Sequence, residues 1–335
     1  MNHVAIDLGS KQSQICIRRP GGTVVVERRI ATCTVPDYLQ NQPPSRIIVE
    51  TCAEAFFVAD AARAAGHDVR VVPASLAKSL GVGARRTKRD RTDAQNLSEA
   101  SCRMDLPSVH VPSQASRARK TLCGMREQLV GCRTALINSV RGWLRMQARA
   151  PRRGDSVTFA RRVRELGDRP SYVERQLSAI EELNEHITEA DQELAEIAKK
   201  DSICQRLMTV PGVGPVTAVR FCAALDERER FASAHLVESY LGLVPGEYSS
   251  GERQQRLSLT KAGPAALRWV LVQAAWCARV WRKNDPMVRW SYEVERRRGK
   301  RIAVVALARK LAGILYAVWR DGSTYDPLRG AKAEL

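Results

Sequence analysis

The sequence has few features of a secreted, membrane or disulfide-stabilised protein. Its nine cysteines among 335 residues form no CxxC pair, so neither a disulfide framework nor a zinc site is indicated. The opening MNHVAIDLG lacks the basic and apolar regions of a signal peptide, and Gln273, Arg309 and Lys310 interrupt the most apolar later stretches. We therefore expect a cytoplasmic protein that does not span a membrane.

Acidic residues are in deficit, with 36 Asp and Glu against 54 Lys and Arg, and the formal net charge is +18. A surplus of this sign attracts polyanions, because phosphates release their counterions when cationic side chains neutralise them. Nucleic acid is therefore the expected partner, ahead of acidic substrates or a membrane surface. The length and the 44% hydrophobic content allow a sizeable core and about two domains, which excludes a disordered chain.

The first hundred residues alternate strand-like and helix-like patterns. The predicted strands cover 3–8, 14–19, 23–30, 46–50 and 68–73. A helix is predicted over 52–65. Three antiparallel-looking strands followed by alternating helix and strand predict a mixed α/β layer, which we assign to residues 1–112.

Long coiled-coil helices are predicted over residues 113–200. The apolar stripe of the first helix, with steps of three and four, consists of Leu122, Met125, Leu129, Cys132, Leu136 and Val140. Arg119, Arg126 and Arg133 repeat every seven residues on another face, where Arg126 and Arg133 are predicted to bind nucleic acid. A second, acidic heptad helix covers 171–200. Opposite charge on the two helices predicts an antiparallel hairpin or helices exchanged between protomers, with ordinary solvated faces as the alternative interpretation.

Four acidic residues form the sharpest candidate site. Asp7 ends the first predicted strand and Glu50 ends another. Asp90 and Asp93 lie three residues apart at the start of a predicted helix, so both carboxylates share one helix face. Such oxygen donors could hold two Mg²⁺ ions about 4 Å apart, the arrangement that stabilises both reacting oxygens in phosphoryl transfer. Singly, each acid also fits a strand-end turn, a solvated surface or a helix cap.

Residues 201–335 are predicted to form a mainly helical third domain that contains a phosphate-binding candidate. In the turn at 207–218, Gly212 and Gly214 would let the backbone approach a phosphate, and the amides at the following helix N-terminus would face the anion. The segment resembles the helix-hairpin-helix element of DNA-binding proteins. A plain corner between two helices is the alternative.

A loop of small residues, Ser249-Ser250-Gly251, forms the last candidate. The basic residues that follow it are Arg253, Arg256, Lys261 and Arg268. This order would place a hydroxyl beside phosphate-binding cations. Serines in turns are more often turn formers than nucleophiles, and no nearby histidine could act as a base, so a hydrolase triad is not indicated.

Taken in order, these motifs resemble the DEDD-type transposases of bacterial insertion sequences, RuvC-like serine recombinases that a bridge RNA guides. The motifs are IDLGSK around Asp7, VET around Glu50, KRDRTDA at 88–94, LINSVRGWL at 136–144, VPGVGPVTA, LGLVP, and SSG followed by LTKAG. RTALINSVRGWL, with the ETC and GHDVR segments, is especially similar to the subgroup with long subterminal inverted repeats.

The resemblance implies an RNase H-like N-terminal domain, a coiled-coil middle and a C-terminal transposase domain over 201–335. It implies that Mg²⁺ is held by Asp7, Glu50, Asp90 and Asp93. It also implies that Ser250 attacks phosphorus to give a 5′-phosphoserine linkage. Ser249 competes with Ser250 for this role, and Glu54 competes with Glu50, because the family often has a glycine shortly after the glutamate.

The implied partners are donor and target DNA, a noncoding bridge RNA that supplies sequence specificity by base pairing, and three further copies of the chain. In such a homotetramer the acids of one protomer act with the serine of another, and the coiled coil is the candidate for assembly. The alternatives are a Holliday-junction-type nuclease that uses the same acids with activated water, and a non-catalytic RNA- or DNA-binding scaffold. Metal-dependent cleavage separates the scaffold from both enzymes.

Overall fold

The computed structural model of the protein describes residues 1–79, 90–250 and 253–328. Within those ranges, the undescribed side chains are those of residues 77–79, 90, 249–250 and 253–256. The chain divides into two compact units, Met1–Pro112 and Ser113–Leu335.

The first unit is a mixed sheet with helices on both faces. Its elements are β1 (Asn2–Asp7), β2 (Gln12–Arg18), β3 (Val24–Ala31), α1 (Val35–Gln40), β4 (Ser45–Glu50), α2 (Ala55–Ala64), β5 (Asp68–Val72), α3 (Ala74–Ser79) and α4 (Asp90–Arg103). The strand order is β3-β2-β1-β4-β5. The pairs β1/β2 and β2/β3 are antiparallel, whereas β4 is parallel to β1 and β5 to β4. The predicted mixed α/β layer is confirmed.

Alternation along the strands determines which helices cover each face of this sheet. Val4 and Ile6 of β1 point to the face that α1 and α2 cover. Ala5 of β1 and Ile48 of β4 point to the opposite face, where Leu97 of α4 packs in the same buried cluster. A side chain that lies two residues beyond Ala5 on β1, or two residues beyond Ile48 on β4, therefore points to the α4 side of the sheet.

The second unit is helical apart from one β-hairpin. Its elements are α5 (Gln114–Met146), α6 (Phe159–Arg164), α7 (Ser171–Lys200), α8 (Ser202–Leu207), α9 (Pro215–Leu225), α10 (Ala234–Tyr240), β6 (Pro245–Ser250), β7 (Arg253–Leu259), α11 (Ala265–Trp281), α12 (Pro286–Arg298) and α13 (Lys300–Asp321). The hairpin was not predicted. Ser249 and Ser250, expected in a loop, are the last two residues of β6 and pair with Gln254 and Arg253 of β7.

α5 and α7 form the predicted antiparallel hairpin within one chain. Arg126 Nε donates to Asp191 Oδ1 at 2.8 Å and Arg126 Nη2 to Asp191 Oδ2 at 3.2 Å. Arg133 Nη1 donates to Asn184 Oδ1 at 2.9 Å. Seven residues forward along α5 thus correspond to seven residues back along α7, as antiparallel helices require.

The buried seam of this hairpin differs from the predicted one. The residues that bury together across α5, α6 and α7 include Ile137, Val140, Leu144, Val173, Leu177 and Ile180. In the predicted apolar stripe only Val140 is fully buried, and Met125 is 66% exposed. The spacing was typical of a helix face that packs, but α5 has a second apolar face toward its C-terminal end, and that face contacts α7.

Among the described helices, α13 alone has the length and hydropathy of a membrane span. In its most apolar window 56% of the helix is buried inside the protein. Leu307, Leu311 and Leu315 are fully buried in the main core of the second unit. Packing in that core accounts for the apolar composition of α13, since core helices meet the same criteria of length and hydropathy.

Candidate functional site

Asp7 and Glu50 end two neighbouring strands at the same level of the sheet. β1 and β4 are adjacent and parallel, and their register runs through the residues just before both acids. Side chains two positions apart on a strand point the same way, so Asp7 shares the face of Ala5 and Glu50 that of Ile48. Both carboxylates therefore belong to the α4 side of the sheet.

The N-terminal turn of α4 lies at the same end of the sheet as these two acids. His3 Nδ1, near the start of β1, is 2.7 Å from Ser101 Oγ near the end of α4. Three residues earlier on the helix, Ser98 Oγ contacts the thiol of Cys16, which pairs with Ala5 two residues further along β1, so the helix runs antiparallel to β1. From His3 to Asp7 the strand rises about 13 Å. From Ser101 back to Asp93 the helix rises about 12 Å. Asp93 is therefore level with Asp7.

Asp93 also lies on the helix face that packs on the sheet. It precedes Leu97 by about one turn and is 3% exposed. A carboxylate buried to this extent is costly unless hydrogen bonds or cations compensate it, so its position is a candidate for a functional role. The three acids that the structure brings to this corner of the sheet are Asp7, Glu50 and Asp93. We call this set the acid corner.

The donor chemistry of the acid corner is that of a divalent metal site, although in the described part of the structure these three carboxylates do not all come within 4.8 Å of one another. Carboxylate oxygens are hard donors of the kind that Mg²⁺ takes in proteins, and here they come from three separate elements. Asp90 is the first residue of α4, and its side chain lies outside the described part of the structure. Glu54 is the residue that caps α2, on the opposite face of the sheet. This placement favours Glu50 over Glu54.

Sequence reasoning missed the contacts that fix the start of α4. Arg91 and Gln95 both donate to the Glu27 carboxylate on β3. The hydrogen bond from Arg91, followed by that from Gln95, lowers the pKa of Glu27. The spacing of four between Arg91 and Gln95 places them on one helix side, but the sequence does not indicate the strand that they meet.

The glycines of the helix-hairpin-helix-like turn have different surroundings. Gly212 has φ +83°, and a Cβ there would lie 2.2 Å from the carbonyl oxygen of Ala274 in α11. Gly214 caps α9, Pro215 is the first helical residue, and a Cβ at Gly214 would meet no atom within 4 Å. Gly212 therefore serves packing against α11, whereas the backbone at Gly214 is open to approach. Phosphate binding stays a prediction for both.

Two of the sequence motifs, LGLVP and LTKAG, pack together at the base of the β6–β7 hairpin. Thr260 N donates to the carbonyl of Val244 at 3.0 Å. Gly263 has φ +70°, and a Cβ there would lie 1.9 Å from the carbonyl oxygen of Tyr240. Gly242, at φ +66°, approaches Ala262 almost as closely. The glycines are required because the two backbones touch.

Arg268 completes this base. One guanidinium nitrogen donates to the carbonyls of Leu241 at 3.1 Å, Ala262 at 2.6 Å and Gly263 at 3.1 Å. Arg268 thus has an intramolecular role that the sequence analysis missed, and its predicted contact with nucleic acid stays a prediction. Lys261 is exposed. The side chains of Arg253 and Arg256 lie outside the described part.

Gly263→Ala should lower the free energy of unfolding by about 2 kcal/mol or more, because the new methyl group meets backbone and the positive φ disfavours an L side chain. Gly246→Ala, in β6 of the same hairpin, is the matched control, since its Cβ would make only ordinary contacts of 3.4 Å or more. We expect the control to change stability by less than about 0.5 kcal/mol. Urea unfolding measures both, and equal stabilities would contradict the packing role of Gly263.

Arg126 and Arg133 face α7 rather than solvent. Burial, followed by the charge of Arg126, lowers the pKa of Arg133. Arg126 is paired with Asp191 through two hydrogen bonds. Their predicted contact with nucleic acid stays a prediction, and the structure gives both residues a role in holding the hairpin together.

Comparing Arg126→Ala with Asp191→Ala separates the two roles. If Arg126 holds the hairpin, both variants should lose about 1 kcal/mol of stability, and RNA affinity should stay within about twofold of wild type. Thermal melts and filter binding measure the two quantities. If Arg126 binds RNA instead, Arg126→Ala weakens binding and Asp191→Ala, which frees the guanidinium, does not. That result would contradict a purely structural role.

Comparisons with known proteins find similar transposases. A DEDD family model described as Transposase matches residues 4–147, and a second, described as Transposase IS116/IS110/IS902 family, matches residues 204–293. A probable family 20 transposase of Pseudomonas aeruginosa is 29% identical over 98% of this chain and 99% of its own length. The transposase for insertion sequence element IS1328 of Yersinia enterocolitica is 27% identical over 96% of this chain and 98% of its own length. The transposase for insertion sequence element IS1111A of Coxiella burnetii is 28% identical over 96% of this chain and 90% of its own length.

These similarities support an insertion-sequence transposase as the class of the protein. The two family models and the full-length relatives support its assignment to the IS110/IS116/IS902 family of DEDD transposases. The mixed sheet of the first unit fits the RNase H-like domain of such enzymes. DEDD transposases act on DNA, and membership implies the use of divalent metal ions.

Proposed function

We propose that this transposase cuts, exchanges and rejoins DNA strands through a 5′-phosphoserine intermediate, guided by a noncoding bridge RNA from its own element. The observation that carries the proposal is the acid corner, where two strand-end carboxylates and a buried helix carboxylate share one face of the sheet. The +18 net charge supports a large nucleic-acid surface. We place the reaction in the cytoplasm, at the nucleoid.

The metal of the proposed site is Mg²⁺, held by Asp7, Glu50 and Asp93 with Asp90 as the fourth acid. When bound, Mg²⁺ would supply electrostatic stabilisation of the scissile phosphate and of the leaving 3′ oxygen. The protein's part is to fix the ligand oxygens. Strand register holds Asp7 and Glu50 side by side, and the Arg91 and Gln95 contacts to Glu27 hold the helix that carries Asp93.

The proposed nucleophile is Ser250, at the end of β6. Its oxygen would form a bond to phosphorus while the bond from phosphorus to the 3′ oxygen breaks, releasing a 3′-hydroxyl end. The base of the hairpin, closed by Gly242, Gly263 and Arg268, supports a fixed position for the strand that ends in Ser250. The phosphoserine diester keeps the energy of the broken bond, so rejoining to another 3′ hydroxyl needs no ATP.

Assembly into a homotetramer is part of the proposal. The members of the apolar stripe on α5 that α7 does not cover include Met125, which is 66% exposed, and Cys132, which is also exposed. Large apolar side chains left in solvent on a long helix favour contact with another copy. We further propose membership of the subgroup with long subterminal inverted repeats, which rests on the sequence resemblance alone.

A metal-dependent junction nuclease is the second candidate, because the acid corner would serve equally to activate water. The two functions differ in what attacks phosphorus. A non-catalytic scaffold explains the charge but not a buried carboxylate beside two strand-end acids.

The proposal is tested by purifying the full chain from cells that carry the element and sequencing the RNA that accompanies it. We expect a noncoding RNA from the element, and we expect joined donor and target DNA only when this RNA is added with Mg²⁺. Strand joining that is unchanged after RNase treatment would overturn the RNA guide. Cleavage without joining would favour the junction nuclease.

A further inference from the structure

A cleft lined by aromatic and basic side chains lies between α11 and α12, within the second unit. Its lining includes Trp276, Lys283, Tyr292, Arg296 and Lys300, and its volume is about 630 Å³. We call it the α11–α12 cleft. None of its residues was singled out by the sequence motifs.

The floor of the cleft is rigid and electrically neutral. Arg279 is 4% exposed, and its guanidinium lies 4.2 Å from the centre of the Tyr292 ring. It donates to Ser291 Oγ at 2.9 Å and to the Glu295 carboxylate. Tyr292 Oη donates back to the Arg279 carbonyl at 2.9 Å. The Arg279 guanidinium is thus neutralised by the Glu295 carboxylate, and the Tyr292 hydroxyl is bonded within the protein. The floor therefore does not supply the charge that would bind a ligand.

The charge at the mouth of the cleft is positive. Lys283, Arg296 and Lys300 are exposed, and no carboxylate among the described residues forms an ion pair with any of the three. Lys300 Nζ lies 5.1 Å from the centre of the Trp276 ring. The four-carbon chain of this lysine can turn to an arriving phosphate and leave the ring face to a planar group.

Exposed aromatic rings continue along α11. Trp269 is 51% exposed and Trp281 is 81% exposed, and Val280, which lines the cleft, is also exposed. Three of the six tryptophans in the chain therefore occur on this one helix, two of them exposed and Trp276 half-buried in the cleft. Tryptophans left in solvent next to unpaired cations are typical of surfaces that stack unpaired bases and neutralise phosphates.

We propose that the α11–α12 cleft binds an unpaired segment of DNA strand, with one base stacked on Trp276 and the adjoining phosphates on the three cations. The proposal rests on the protein being a transposase that acts on DNA, and not on Ser250 or on the RNA guide. Opening and exchanging strands releases unpaired DNA near the enzyme. A separate site for it would keep the cut strand from re-pairing before it is joined.

Charge and shape favour this ligand over duplex DNA or a protein segment. The bases of a duplex are paired and stacked on each other, so they offer no free face to Trp276. An acidic peptide would satisfy the cations but would leave the tryptophan ring without a planar partner. A single strand uses both features, because every base has a π face and every nucleotide a phosphate.

The chain contains a matched control for the cleft. Lys310 Nζ lies 4.6 Å from the centre of the Trp290 ring, the same kind of pair as Lys300 and Trp276. That second pair lines a different pocket, where the carboxylates of Glu293 and Asp326 offset the charges of Arg289 and Lys310. Without a surplus of positive charge, the second pair should not bind a single strand.

The test measures fluorescence anisotropy of a labelled oligothymidylate with the full-length protein. Trp276→Ala with Lys300→Gln should weaken binding about five- to a hundredfold, the effect of losing one stacked base. Trp290→Ala with Lys310→Gln should bind within about twofold of wild type. Lys283→Gln with Arg296→Gln should lower the slope of log affinity against log salt by about 1.4, since two phosphate contacts are lost.

Three arms keep the outcome decisive. Thermal melts check the fold, and Trp276→Phe, which retains a ring face, should restore most of the affinity if the alanine variant is unstable. A duplex of the same length should bind the Trp276→Ala, Lys300→Gln variant with an affinity within about twofold of the wild-type affinity. Equal binding of oligothymidylate by the cleft and control variants would overturn the proposal. So would a cleft-dependent loss seen only with oligouridylate, which would assign the cleft to RNA.

The proposed catalytic residues provide a separate comparison. Asp93→Asn and Ser250→Ala leave the lining of the cleft unchanged, so their recombination activity tests the chemistry separately from the cleft. If those variants kept full recombination activity, the proposed chemistry would fail while the cleft result stood.

Discussion

Asp93→Asn should abolish DNA strand cleavage, by about a thousandfold or more, and leave the fold intact. The amide has nearly the shape of the carboxylate but lacks the charge that a divalent metal needs from its ligand, and metal stabilisation of a phosphoryl-transfer transition state is worth several kcal/mol. Because the amide has nearly the same size and can still accept hydrogen bonds, the packing of α4 should persist. The measurement is the rate of nicking of labelled element-end DNA with Mg²⁺, with a thermal melt of the same preparation.

Glu50→Gln and Glu54→Gln form the matched pair for this test. Glu50 ends β4 on the α4 side, whereas Glu54 caps α2 on the other face, so the first variant should be as inactive as Asp93→Asn and the second active. If Glu54→Gln were inactive and Glu50→Gln active, the second acid of the site would be Glu54 and not Glu50. Full activity of Asp93→Asn would reject the acid corner altogether.

Ser250→Ala should remove a covalent protein–DNA adduct that resists denaturant, together with all strand exchange. A serine hydroxyl is a weak nucleophile at neutral pH, and activation by metal, a carboxylate or the phosphate itself has to replace the missing histidine. Without the hydroxyl there is no atom to hold the 5′ end, so we expect no detectable adduct. Gel electrophoresis of labelled DNA under denaturing conditions measures it.

Ser249→Ala is the control one residue away and should retain the adduct. If Ser249→Ala loses it and Ser250→Ala keeps it, the nucleophile is the other member of the doublet. Free 5′ phosphates and full activity in both variants would establish the junction-nuclease function, in which activated water attacks the phosphate.

Features that depend on local chemistry could be predicted from the sequence. Strand ends at Asp7 and Glu50 follow from short β-branched runs bounded by turn residues, and the structure places both at the ends of β1 and β4. The helix that carries Asp93 and the break at Gly299 are equally local. The antiparallel α5–α7 hairpin is one of the alternatives that opposite charge on two heptad helices predicts.

Features that depend on which of several possible partners a residue meets in the fold could not be predicted from the sequence. Steps of three and four show that α5 packs, but they fit more than one face, and Met125 proved exposed. Arg126 and Arg268 are arginines that could meet a phosphate or a protein acceptor, and only the fold brings Asp191 and three carbonyls to them. The β6–β7 hairpin was missed because Ser249-Ser250-Gly251 has the composition of a loop, although β6 extends through both serines.

The most direct test of the acid corner maps the metal itself. Fe²⁺ in place of Mg²⁺, with ascorbate and peroxide, generates hydroxyl radicals that cut the backbone next to the bound ion, and mass spectrometry identifies the fragment ends. We expect cuts near Asp7, Glu50 and Asp93, suppressed by excess Mg²⁺ and absent in Asp93→Asn. Cuts elsewhere in the chain, or cuts at these three positions that persist in Asp93→Asn, would contradict the assignment.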